Sequence, residues 1–215
     1  MQQFEITEIF HSIQGESTYT GLPCVFVRLS GCNLRCSYCD TEYSHGNGEV
    51  MSLEEMLHKI DSYGCRLVEL TGGEPLMQDG TPELASRLLS KGFEVLMETN
   101  GSLDIDLVDS RCIRIVDVKC PGSGMSEKND FTNMKRLTSK DQLKFVISDK
   151  TDFDYMSEVL IKYKPQLPYG SILASPVAGI LRPDQLASWI LESGMEVRIQ
   201  LQLHRQIWPD IDRGV

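Results

Sequence analysis

The chain has 215 residues, 41% of them hydrophobic and 24% charged. That length can bury a sizeable core within one domain, but it falls short of the roughly 250 residues of a complete eight-stranded α/β barrel. Twenty-one basic against thirty-one acidic residues leave a formal net charge of −10, the wrong sign for a general nucleic-acid binder or for adsorption to an anionic membrane.

The first residues, Met1 to Glu8, show neither the basic nor the apolar region of a secretory signal. No apolar run approaches the roughly 18 residues that span a bilayer. Seven cysteines are an odd number, so a disulfide framework leaves at least one unpaired. The expectation is a cytoplasmic protein whose thiols serve a metal or chemistry.

In chain order, Cys24–Leu29 reads as a strand and Leu53–Tyr63 as a helix, with Leu53, Met56, Leu57 and Ile60 on one face. Ser52 suits its N-cap, and Glu54 and Glu55 suit the first turn. Leu67–Thr71 reads as the next strand. A helix follows over Pro82–Lys91, with Thr81 as its N-cap. Glu94–Thr99, Arg114–Lys119 and Gln142–Ile147 continue the strands. Then come a helix over Phe153–Tyr163, a strand over Ser171–Ala174, a helix over Asp184–Ser193 and a strand over Glu196–Leu201. This alternation predicts an α/β fold with a parallel sheet of six or seven strands. The length points to a partial, open barrel, with a doubly wound sheet as the alternative. Either architecture places chemistry at the C-terminal strand ends.

The loop after the first of these strands carries Cys32, Cys36 and Cys39, spaced C-x3-C-x2-C. Disulfides between such neighbours would be strained, and one sulfur would be left over. Structural zinc wants four ligands, which His45 could complete as a Cys3His site in a zinc-binding interaction module. A four-iron cluster normally takes four thiolates, so three leave one iron open to another ligand. Zinc and iron–sulfur both stand at this point.

Thr71-Gly72-Gly73-Glu74-Pro75 follows the second strand. Paired glycines let backbone approach a ligand closely, and Glu74 places a carboxylate at the functional end. Glu98, Asn100, Asp117, Lys119 and Lys144 lie in or just beyond apolar strands. Buried charges there must neutralise one another or serve a site. Arg28 shares a strand face with Phe26 and cannot shed its charge, so it needs an anion: Glu16 or Glu98 as a structural partner, or a carboxylate of the substrate.

The cysteine triplet after a first strand resembles the signature of radical S-adenosylmethionine enzymes, and Gly72-Gly73-Glu74-Pro75 resembles their element for the amino end of S-adenosylmethionine. The longer pattern runs from Ile9-Phe10-His11-Ser12-Ile13-Gln14-Gly15-Glu16 through Gly21-Leu22-Pro23 and Arg28 to Gly31-Cys32-Asn33-Leu34 and Cys39-Asp40-Thr41. It resembles the 7-carboxy-7-deazaguanine synthases. That resemblance implies a single radical S-adenosylmethionine domain over residues 1–215, with a trimmed, TIM-like open barrel. It implies conversion of 6-carboxy-5,6,7,8-tetrahydropterin to 7-carboxy-7-deazaguanine in queuosine-precursor biosynthesis. There an adenosyl radical takes hydrogen from the carbon bearing the carboxylate, the ring contracts and ammonia leaves.

The resemblance also implies a [4Fe-4S] cluster on Cys32, Cys36 and Cys39, and Mg2+ on Thr41. It assigns S-adenosylmethionine to Tyr38, Cys39, Asp40, Gly73, Glu74, Asp117, Val118 and Lys119. Substrate falls to Ile13, Gln14, Gly15, Glu16, Arg28, Thr71, Glu98 and Asn100. A homodimer and a small flavoprotein electron donor are the implied partners. The likeness weakens after Lys119: Ser175-Pro176-Val177-Ala178 stands where comparable members carry Gln-Pro-x-Asp. His204 in the tail reads as structural. A glycyl-radical-enzyme activase shares the triplet but should lack the Gln14-Gly15-Glu16 and Arg28 pattern.

Overall fold

A computed structural model describes residues 2–211 and 213–215. Strands β1 (Gln3–Ile13) and β2 (Pro23–Leu29) form an antiparallel hairpin, and β3 (Glu49–Ser52) pairs with the outer side of β1. Six parallel strands continue from β2: β4 (Leu67–Gly72), β5 (Glu94–Thr99), β6 (Ile113–Val118), β7 (Gln142–Ile147), β8 (Ile172–Pro176) and β9 (Arg198–Ile199). The order β3-β1-β2-β4-β5-β6-β7-β8-β9 leaves β3 and β9 as unpaired edges. The sheet is mostly parallel and open, as expected. It has nine strands rather than six or seven because β1 and β3 extend it on one side.

Alternation along each strand separates two apolar clusters. Val25, Val27 and Leu29 of β2, Val68 and Leu70 of β4, and Leu143, Phe145 and Ile147 of β7 face outward. There they meet α1 (Leu53–Ser62), α2 (Thr81–Ser90), α3 (Lys150–Tyr163) and α4 (Pro183–Ser193), through residues such as Met56, Leu84, Met156 and Leu186. Each such buried side chain contributes about 1.5–3 kcal/mol. The opposite face carries a smaller cluster of Cys24, Phe26, Leu67, Leu96 and Ile115. Arg28 shares this inner face with Phe26, as the period of two requires.

Ser52 caps α1 in a full capping box with Glu55. Thr81, read as an N-cap, is instead the first residue of α2, behind Gly80. Its hydroxyl donates to the Pro75 carbonyl at 2.5 Å, tying the helix to the glycine-rich turn. The strand expected over Glu196–Leu201 shrinks to Arg198–Ile199, and the tail adds a short helix, α5 (Leu203–Ile207).

The β1–β2 hairpin loop crosses the inner face at the N-terminal ends of the parallel strands. Ser17 N–H donates to Gln200 Oε1 at 2.8 Å and Thr18 N–H to Gln142 Oε1 at 2.9 Å. Tyr19 hydroxyl donates to Glu94 at 2.6 Å. These bonds span from β2 to β9 and floor the inner face. Among the described residues no helix is long and apolar enough to cross a membrane.

Candidate active site

Above that floor, the loops leaving the C-terminal strand ends enclose a cavity of about 520 Å³. All eight residues expected to bind substrate line it: Ile13, Gln14, Gly15 and Glu16 from the floor, and Arg28, Thr71, Glu98 and Asn100 from the strands. Cys32, Cys36, Cys39 and Thr41 line it too, with Tyr38, Asp40, Gly73, Asp117 and Lys119. Glu74 and Val118, also expected to contact S-adenosylmethionine, do not line it. Glu74 is 0% exposed. Its carboxylate accepts from Leu76 N–H at 3.0 Å, Thr99 hydroxyl at 2.8 Å and Asn100 N–H at 2.7 Å, so it fixes the turn instead of facing a ligand. Val118 points outward by alternation and packs in the outer core.

The thiol loop is seated by backbone. Gly31 N–H donates to the Ser44 carbonyl at 2.7 Å, and Glu74 N–H donates to the Gly31 carbonyl at 2.8 Å. Gly73 sits so close that a Cβ there would lie 1.9 Å from the Gly31 oxygen. Two donors are aimed at Cys32 Sγ, Leu34 N–H at 3.4 Å and Asn100 Nδ2 at 3.9 Å, and His45 Nε2 lies 3.6 Å from Cys39 Sγ. Hydrogen bonds of this kind suit thiolates that carry a cluster's charge. Among the described residues, no three His, Cys, Asp or Glu side chains gather as they would around one metal ion. A four-iron cluster gives each thiolate its own iron, and three thiols on one cavity wall suit it. Cys24, Cys112 and Cys120 are buried in the cores; burial pushes the Cys112 thiol up to about 12, which makes it unreactive.

Arg28 pairs with Glu8, directly opposite on β1, and not with Glu16 or Glu98. Only its Nε is used, at 2.8 Å, so among the described residues the two terminal nitrogens have no hydrogen-bond partner. Phe10 and Tyr43 flank the guanidinium, 5.9 and 5.8 Å from it. Glu16 and Glu98 instead hold Lys144, with Asp117 4.0 Å away. Burial works against the Lys144 charge, but these carboxylates outweigh it and keep the lysine protonated. Lys119 bonds Asp117 at 2.6 Å and is likewise held charged by it against burial. Among the described residues two buried polar atoms on this wall, Asp117 Oδ1 and Ser175 Oγ, have no hydrogen-bond partner, which marks a surface built to meet a polar ligand.

Sequence reasoning missed part of the wall. Glu69 lines the cavity beside Phe26; its signal was a lone carboxylate in an apolar strand, in phase with Thr71. Gln202, His204, Gly214 and Val215 also reach the wall. Gln202 donates to Glu16 at 2.8 Å and to Asp40 at 3.1 Å. His204 lies against Gly15, where a Cβ would fall 2.2 Å from its ring; only glycine lets the tail approach that closely.

Comparison with known proteins agrees with this geometry. Residues 26–115 match the Radical SAM superfamily. The chain is 40% identical to the 7-carboxy-7-deazaguanine synthase of Koribacter versatilis, over 98% of this chain and 100% of that protein. It is 43% identical to that of Chlorobaculum tepidum, over 98% and 96%. Its fold is similar to the crystal structure of QueE from Escherichia coli, with a TM-score of 0.77, 23% identity and coverage of 94% and 95%. On the near-complete overlap with these relatives, the chain belongs to the 7-carboxy-7-deazaguanine synthase family.

Proposed function

We propose that this chain, acting as one radical S-adenosylmethionine domain over residues 1–215, converts 6-carboxy-5,6,7,8-tetrahydropterin to 7-carboxy-7-deazaguanine with loss of ammonia. The observation that carries this reading is Arg28, whose guanidinium is half-used by Glu8 and opens on the cavity that Cys32, Cys36 and Cys39 line. A planar guanidinium with free terminal nitrogens matches a carboxylate. Arg28 lies four residues before Cys32, so it would hold the carboxylate-bearing carbon near the thiols.

Cys32, Cys36 and Cys39 would hold a [4Fe-4S] cluster, and Tyr38, Asp40, Gly73, Asp117 and Lys119 would contact S-adenosylmethionine. When bound, these groups would supply one-electron, hydrogen-abstracting chemistry at that carbon. The hydroxyl of Thr41 suits Mg2+, which takes few protein ligands and keeps several waters. The chain's own part is to bind, orient and exclude water. Arg28 fixes one end of the substrate, Thr71 and Asn100 line its sides, and the floor from Ile13 to Glu16 closes the other end. Lys144, clamped by Glu16 and Glu98, keeps their charges in place beside the ring. Free thiols throughout suit a reducing cytoplasm. A homodimer and a small flavoprotein as electron donor complete the proposal.

The test is anaerobic incubation of the reconstituted protein with S-adenosylmethionine, reductant, Mg2+ and 6-carboxytetrahydropterin. Mass spectrometry should show 7-carboxy-7-deazaguanine. Reductive cleavage of S-adenosylmethionine without that product would reject the substrate while leaving the radical chemistry in place.

A further inference from the structure

Three carboxyl groups, Glu16, Glu69 and Glu98, lie within electrostatic reach of one ammonium, Lys144, at the bottom of the cavity. Glu16 and Glu98 both touch that ammonium. Glu69 does not. Only 3% exposed, it accepts one hydrogen bond among the described residues, from Gln14 Nε2 to Oε2. Its Oε1 has no protein partner there, and the side chain lines the cavity. A buried carboxyl with one oxygen open and no cation in contact is costly unless it keeps a proton or meets a donor.

Its position says which part of a ligand it would meet. Strand register pairs Arg28 with Thr71 and Phe26 with Glu69. Glu69 therefore lies two residues deeper than the Arg28 level, roughly 7 Å along the strand, on the side away from the thiols. Beside it Phe26 stacks on Phe10, with centroids 5.0 Å apart and planes 12° apart, a flat wall suited to a flat heterocycle. Gln14 is itself fixed, since its Oε1 accepts from Glu16 N–H at 2.9 Å. Glu69 thus has a set orientation, with one oxygen committed and one available.

We propose that Glu69 is a specificity-determining residue, whose open oxygen accepts an N–H from the amino-bearing edge of the substrate's 2-amino-4-oxopyrimidine ring while Arg28 holds the carboxylate at the opposite end. This rests on the pterin reading above and adds to it the group that distinguishes the ring. The direction of the Glu69 pKa agrees: burial first, then Glu98 and Glu16, push it well above the ordinary carboxylate range against the opposing pull of Lys144 and Gln14.

The test measures equilibrium binding to reconstituted holoenzyme of 6-carboxytetrahydropterin and of its analogue lacking the 2-amino group. Wild type should prefer the 2-amino compound by at least about tenfold, because a site built for an N–H rejects the ligand that lacks it. Glu69→Gln keeps an acceptor for Gln14 but turns a donor toward the ring, and should lose that preference while keeping its iron content. Should Glu69→Gln not fold, Glu69→Asp withdraws the acid by one methylene and should weaken only the 2-amino compound. Unchanged discrimination in the variant, or none in wild type, overturns the proposal. Wild type that converts the pterin without discriminating rejects Glu69 alone; wild type that neither binds nor converts it rejects the pterin reading as well.

Discussion

Arg28 has two duties that a mutation can separate. Its Nε closes a bond to Glu8 within the sheet, and its terminal nitrogens face the cavity. Arg28→Lys keeps the charge but gives up the fork, which a point-charge ammonium cannot reproduce. Substrate affinity should fall about tenfold or more in Arg28→Lys and further in Arg28→Ala. Iron and sulfide content should match wild type, and loss of cluster in either variant would make the role structural. The face of Arg28 was legible from alternation in Val25-Phe26-Val27-Arg28-Leu29. Its partner was not, because Glu8 lies in a strand whose mixed sequence, Gln3–Ile13, carries no clear period. Pairing across a hairpin depends on register, and register is fixed by the turn and the buried face together. Glu69 escaped for a related reason: a single carboxylate among aliphatic residues shows its importance only once the neighbouring strands supply Phe26 and Gln14.

At the level of elements, the site depends on how tightly the turn after β4 fits the thiol loop. Gly73 meets the Gly31 carbonyl with no room for a Cβ, and the atom in the way is backbone, which cannot rotate aside. Gly73→Ala must displace one loop or the other, at a cost of about 1–3 kcal/mol. The expected outcome is a lower thermal midpoint of the metal-free chain together with reduced iron after reconstitution. A variant with normal iron would show that the close approach does not position the thiols. The spacing of Cys32, Cys36 and Cys39 and the glycine pair were readable as local motifs. Their seating against each other was not, because it comes from strands β2 and β4 lying side by side. Glu74 shows the same limit in reverse: its position in a known element suggested a ligand contact, but three hydrogen bonds turn it inward.

For the molecule as a whole, stability and site are held by different charges. Away from the cavity, Arg114 and Asp141 form a buried pair at 2.6 Å, with side chains 5% and 0% exposed. Burial alone would raise the Asp141 pKa. Hydrogen bonds from Arg114 and Thr138 outweigh it and hold the carboxyl below its ordinary value. A depressed folded pKa gives stability that is present above the unfolded value, near about 3.9, and is lost as pH falls through the folded value. Asp141→Asn leaves buried Arg114 with only the more exposed Asp106, 3.1 Å away, as countercharge and should cost about 3 kcal/mol at neutral pH. Denaturant unfolding of the metal-free chain should show that difference shrinking below about pH 4; a difference that does not change with pH would mean the pair is not the source.

The alternation of strands and helices, and the short length, made the open α/β sheet legible in the sequence. The floor of the cavity was not, because the β1–β2 loop reaches β7 and β9 through glutamines more than a hundred residues away. That floor and the thiol loop set the two ends of the cavity, and in the proposed reaction substrate lies between them with its carboxylate end toward the thiols. The direct test is 6-carboxytetrahydropterin deuterated at the carbon that bears the carboxylate, turned over by the reconstituted enzyme with unlabelled S-adenosylmethionine. Deuterium should appear in 5′-deoxyadenosine, or in S-adenosylmethionine re-formed from it, as 7-carboxy-7-deazaguanine accumulates. Product formed with no label in either S-adenosylmethionine or 5′-deoxyadenosine would contradict the orientation that Arg28 is held to impose.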